Sequence, residues 1–152
     1  MPRFSFKLQR VLDIKERKEE QLKGELANVK REYEEEEEIL HSLERSHSIY
    51  LDRLRRHQLN TISIQEVRWY QTYLSKLVND ISSQSQKLED LLRRIDELKE
   101  KLIEVSKERR VLEKLKERKW DEFKHEVEYL EQETLDEIGT SRHIRGEGSF
   151  RL

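Results

Sequence analysis

The chain has 152 residues, of which 42% are charged and 34% apolar, and its 31 basic and 33 acidic residues leave a net charge of -2. A composition this polar cannot close a wide globular core, although it can bury a narrow stripe, and charges of mixed sign read as solvated helix faces rather than a nucleic-acid surface. With no cysteine, disulfides and thiolate metal sites are excluded. No apolar run reaches the roughly 18 residues of a membrane span, and the N-terminus has no secretory apolar segment, so a cytoplasmic location is expected.

The predicted architecture is all-α, a long antiparallel two-helix coiled-coil hairpin with unequal arms. Pro2 is the only proline and Gly24 the only glycine before Gly139, so little interrupts helix formation. Helix 1 is expected over about residues 5–59. Its apolar residues Leu22, Leu26, Val29 and Tyr33, then Leu40 and Leu43, then Tyr50 and Leu54, recur in steps of 4 and 3. Such steps average 3.5 residues, the period of a helix supercoiled on a partner. The same seam extends back through Leu12 to Leu8, but Lys15 and Glu19 fall on it. Glu36 and His47 are further polar seam positions, of the kind that set register at some cost in stability. The acidic run from Glu34 to Glu38 and the basic residues Arg53, Arg55 and Arg56 read as solvated faces.

A turn is predicted at residues 60–63. Ser63 and Glu66 have the spacing of a capping box, and Ile62 and Val67 that of a hydrophobic staple. Helix 2 is expected over about residues 64–138. It continues the seam as Val67, Tyr70, Leu74, Leu77, Ile81, Leu88, Leu91, Ile95, Leu98, Leu102, Val105 and Leu112, with Gln84 and Arg109 as polar members. Trp69 and Tyr73 stand one turn apart beside the seam. They suit either a partner surface or a locally wider core. Gly139 is expected to end helix 2, because glycine is the residue most suited to the position after a helix. One coiled coil over residues 1–139 and a flexible tail over 140–152 complete the expected organisation.

Beyond Leu112 the apolar spacing stutters to Trp120, Phe123, Val127 and Leu130. In a hairpin turning near residue 61, paired positions sum to about 122, so Leu8 lies opposite a residue near 114. About 24 residues of helix 2, roughly 36 Å, then lack a helix 1 partner. An apolar stripe on an unpaired helix is a contact surface unless covered. Three coverings are open: the segment Phe4-Ser5-Phe6 folded back, a second copy of the chain, or another protein.

No motif carries catalysis. There is no glycine-rich phosphate loop and no nucleophile elbow. The pairs Glu38/His41, Glu44/His47 and Glu122/His125 match a spacing used in di-iron bundles, but such sites draw on four helices. Residues 47 and 125 cannot meet in this hairpin. The chain is therefore expected not to be an enzyme, and no metal or cofactor is expected.

The opening Phe4-Ser5-Phe6-Lys7-Leu8-Gln9-Arg10-Val11-Leu12 resembles that of the FliJ family of flagellar type III export proteins. The resemblance runs through Trp69-Tyr70-Gln71-Thr72-Tyr73-Leu74, Leu115-Lys116-Glu117-Arg118-Lys119-Trp120 and Glu131-Gln132-Glu133, covering residues 4 to about 142. It implies a non-enzymatic component of the export apparatus, similar to the central stalk subunit of rotary ATPases. It further implies three partners: the hexameric export ATPase FliI, the cytoplasmic domain of the export gate FlhA, and export chaperones. The location implied is the cytoplasmic face of the inner membrane, with membrane contact through partners alone. Gate contacts carry over to Ile39, Leu43, Ser46, Tyr50, Tyr73, Leu77, Asp80 and Gln84. Ser46 departs there from an aromatic residue and Asp80 from a small one. Contact with the ATPase ring is expected from Phe4, Phe6, Trp120, Phe123, Val127 and Leu130. The alternatives are a coiled-coil scaffold or spacer, the stalk-like counterpart of a virulence-type secretion system, or a rotary ATPase central stalk.

Overall fold

The computed structural model describes residues 2–58 and 63–150, with side chains described as far as residue 143. It contains two helices packed against each other, α1 at Gln9–Gln58 and α2 at Ile64–Phe150, and no strand among the described residues. The fold is an all-α helical hairpin with arms of 50 and 87 residues. Its contacts cluster into two units. One comprises residues 1–17 and 105–152, the other residues 18–104.

In the unit of residues 18–104, the seam is the core. Leu22, Leu26, Val29, Leu54, Leu74, Leu77, Leu88, Leu91, Ile95 and Leu98 are all buried. The intervening seam residues Tyr33, Leu40, Leu43, Tyr50, Tyr70 and Ile81 are half-buried. Among the described residues, no side chain falls below 2% exposure. That is what two helices without a third layer allow, since each seam residue is covered from one side only. Cross-helix contacts report the register. Glu36 meets Gln84 and Lys87, and Tyr50 meets Tyr73. These pairs sum to 120, 123 and 123, in line with antiparallel pairing around 122.

The start of α2 follows the predicted cap. Ser63 Oγ accepts a hydrogen bond from the Glu66 backbone N–H at 3.2 Å, satisfying one of the donors that a helix start leaves open. The predicted staple partner Ile62 and most of the predicted turn lie outside the described residues.

In the unit of residues 1–17 and 105–152, Leu12 and Val105 are the buried pair. Lys15, polar on the seam, reaches across to Glu108, which explains how a lysine is accommodated there. Its aliphatic stem can line the seam while its ammonium is paired outside it.

The end of α2 differs from expectation. The helix does not stop at Gly139, and residues 140–150 continue it to Phe150 rather than forming a separate tail. Neither Gly139 nor any other described glycine adopts positive φ, so no left-handed cap forms. Thr140 keeps its place in the helix, its hydroxyl donating to the Asp136 carbonyl at 2.9 Å. A lone glycine weakens a helix by roughly 1 kcal/mol without ending it.

Candidate functional sites

Two groups of candidate residues were expected, one in each unit. In the unit of residues 18–104, Tyr50 on α1 is the centre of an aromatic cluster. Its ring meets Tyr73 edge-on at 4.7 Å between centroids, and Trp69 and Tyr70 at 6.1 and 6.4 Å. Trp69 stacks on Tyr73 at 5.4 Å with the rings 4° from parallel, one helical turn apart on α2. The Arg53 guanidinium lies 5.1 Å from the Tyr50 ring centre. This cluster widens the core where the seam holds tyrosines, yet it leaves Trp69 54% exposed. Trp69 and Tyr73 thus widen the core locally, and Trp69 keeps about half of its surface exposed.

The other residues expected at the export gate are placed unevenly. Ile39 is exposed, and Leu43, Ser46, Tyr50, Tyr73 and Asp80 are half-buried. Leu77 is buried at 3% and belongs to the core, so its side chain is not open to a partner. The Gln84 amide is held by Glu36, donating to its carboxylate at 2.5 Å and to its backbone carbonyl at 2.9 Å. Lys87 Nζ approaches the same carboxylate at 2.8 Å. The lysine and the amide together hold the Glu36 carboxyl below its ordinary range. This polar group therefore serves register within the hairpin. Sequence spacing placed Glu36 and Gln84 on the seam but could not show that they bond each other.

In the unit of residues 1–17 and 105–152, the N-terminal segment folds back onto α2. The Phe4 ring sits edge-on to Trp120 at 5.1 Å and tilted against Phe123 at 5.6 Å. Trp120 and Phe123 stack at 5.9 Å. Of the three coverings considered for the stripe, the chain's own N-terminus takes this part. Backbone geometry assists, because Gln9 N–H donates to the Phe6 carbonyl and Leu12 N–H to that of Leu8, turning the segment at the start of α1. Further along α2 the cover ends. Val127 is half-buried, while Tyr129, Leu130, Leu135 and Ile138 are 68%, 50%, 62% and 45% exposed. Leu135 is an apolar member of this face that the 4-3 spacing passes over, because it stands two turns beyond Val127.

Two histidines of the Glu-x-x-His pairs meet other glutamates than those the spacing paired them with. His41 approaches Glu37 and Glu44, and His125 approaches Glu128. Among the described residues, no three His, Asp or Glu side chains converge in a way that could hold a metal ion. Among them, too, no helix is long and apolar enough to cross a membrane.

These features define a two-helix coiled-coil protein whose candidate sites are contact surfaces on helix faces. No curated protein and no solved structure matches the sequence significantly. A family model does match, that of the flagellar FliJ protein, over residues 4–148. The chain belongs to the FliJ family and is a component of the flagellar protein export apparatus, from a family of non-catalytic export proteins.

Proposed function

We propose that this chain is the coupling component of the export apparatus, working between the hexameric export ATPase and the cytoplasmic domain of the export gate. It carries no chemistry of its own in this reading and also hands over export chaperones. It acts at the cytoplasmic face of the inner membrane, reaching the membrane through its partners. The observation that supports this most is the face of α2 beyond Phe123, where Leu130, Leu135 and Ile138 stand 50%, 62% and 45% exposed. An uncovered apolar face of this kind is a contact site. The ring contact is assigned to Phe4, Phe6, Trp120, Phe123, Val127 and Leu130. Gate contact is assigned to the exposed Ile39 and the half-buried Leu43, Ser46, Tyr50, Tyr73 and Asp80, with Leu77 and Gln84 supporting them from within the hairpin.

The test is the ATPase rate of the cognate hexamer with and without this protein, alongside a direct binding measurement. Saturable binding with a raised rate is expected. Absence of both would overturn the proposal.

A further inference from the structure

The exposed end of α2 has a composition that specifies the chemistry of its partner. From Trp120 to His143 the helix holds eight Asp and Glu against two Lys and Arg, in a chain whose overall charge is only -2. The acids are not scattered at random around the helix. Taking Val127 and Thr134 as the a positions of the heptad and Leu130 as d, Glu126 and Glu133 fall at g and Glu131 at e. Glu126 and Glu133 therefore line one side of the stripe and Glu131 stands on the other, where Ile138 follows it at e, while Glu137 takes the next d position. Every residue from Glu128 to His143 is exposed. Pro2, Val127, Leu130, Glu131, Thr134 and Leu135 line a shallow concavity of about 450 Å³, which is room for an apolar side chain.

We propose that this face docks a basic amphipathic helix, with leucine-like side chains on the stripe and Lys or Arg flanking them. Residues at e and g select coiled-coil partners by charge. A second copy of this chain is the wrong partner. Parallel pairing would set Glu126 against Glu131, and antiparallel pairing would set the g-position glutamates against one another. Like charges so placed repel, whereas a basic partner replaces each repulsion by an attraction. The partner's chemistry is thus an apolar stripe between cationic flanks. This deepens the proposed ATPase-ring contact, and rests on it for the partner's identity but not for its chemistry.

The probe is a labelled helical peptide built from leucine and lysine, with lysine at every e and g position. Its binding to the full-length protein is followed by fluorescence anisotropy, at low and at high salt. Binding is expected, with affinity falling as salt rises. Glu126→Lys, Glu131→Lys and Glu133→Lys together should weaken it roughly tenfold or more, at a few-fold per exposed pair. Leu130→Ser with Leu135→Ser should weaken it at both salt concentrations. Reversal of Glu34, Glu35 and Glu38, which form an equally acidic run elsewhere, serves as the control and should change affinity little. All of these side chains but the two leucines are charged and exposed, and circular dichroism verifies that helicity is kept.

The inference is overturned if the peptide does not bind. It is equally overturned if the control reversal weakens binding as much as the first, or if sedimentation shows a dimer that Leu130→Ser dissolves. Peptide binding without hexamer binding would leave this inference standing and remove the ATPase-ring reading. Hexamer binding that survives the triple reversal would do the opposite.

Discussion

The side-chain amide of Gln84 reaches across the hairpin to the Glu36 carboxylate at 2.5 Å and to the Glu36 carbonyl at 2.9 Å. Lys87 completes the group from the exposed side, at 2.8 Å from the same carboxylate. Most seam positions are aliphatic, and aliphatic side chains tolerate a shift of one heptad. A polar pair that bonds in one alignment only does not, which makes this group a register device.

The register group has a pH signature. Lys87, and then Gln84, lower the Glu36 pKa below its ordinary 4.5, and Glu36 raises that of Lys87 above 10.5. A carboxyl with a lowered folded pKa contributes stability that is full above its unfolded value and lost as pH falls through the folded one. Lys87 works in the opposite sense, its contribution being full below 10.5 and lost as pH rises through the raised value. Urea midpoints between about pH 3 and 7 should therefore fall less steeply toward acid in Glu36→Gln than in the parent protein. Equal slopes would show that the group contributes nothing.

The seam and the far stripe should respond differently to the same truncation. Leu98 is 6% exposed and Leu130 is 50% exposed. Leu98→Ala should cost about 2–4 kcal/mol in urea unfolding. Leu130→Ala should stay within about 0.5 kcal/mol. A large loss at Leu130 would mean that the stripe is covered in solution.

Phe4→Ala removes the ring that lies on Trp120 and Phe123. An aromatic pair adds about 0.5–1.5 kcal/mol beyond the area it buries, so global stability should fall only modestly, with helicity retained. In a Trp69→Phe background, Trp120 emission should shift to the red and become easier to quench. Unchanged emission would place Phe4 elsewhere.

Gly24 lies within α1, and a methyl group added at its Cα would meet nothing within 4 Å. Its φ is that of an ordinary helix. Gly24→Ala should therefore stabilise the hairpin by about 0.5–1 kcal/mol, measured as a higher melting temperature. A lower one would indicate that the position meets a neighbour in solution.

Much of the fold was legible in the residues alone because a two-helix hairpin is governed by local rules. Period 3.5 in the apolar residues locates the seam, and every seam residue from Leu22 to Leu112 is buried or half-buried. The Ser63 and Glu66 spacing locates the start of α2, since capping depends on residues three apart. The mismatch in helix length follows from counting. Where local rules leave a choice, reading along the chain was less successful. Gly139 can end a helix or continue one, and α2 continues.

Register and the start of α2 were thus determined by sequence, whereas α1 starts at Gln9 rather than near residue 5 and α2 runs on to Phe150. The tertiary structure alone decided which surplus apolar residues are covered. Phe4 reaches Trp120 and Phe123 because the chain turns back before Gln9, a contact between residues more than a hundred positions apart that no periodicity encodes. It likewise decided that, beside the seam, Tyr73 packs against Tyr50 while Trp69 stays 54% exposed. The reason is geometric. Periodicity states which side of a helix a residue occupies, and only the partner's placement states whether that side meets protein or water.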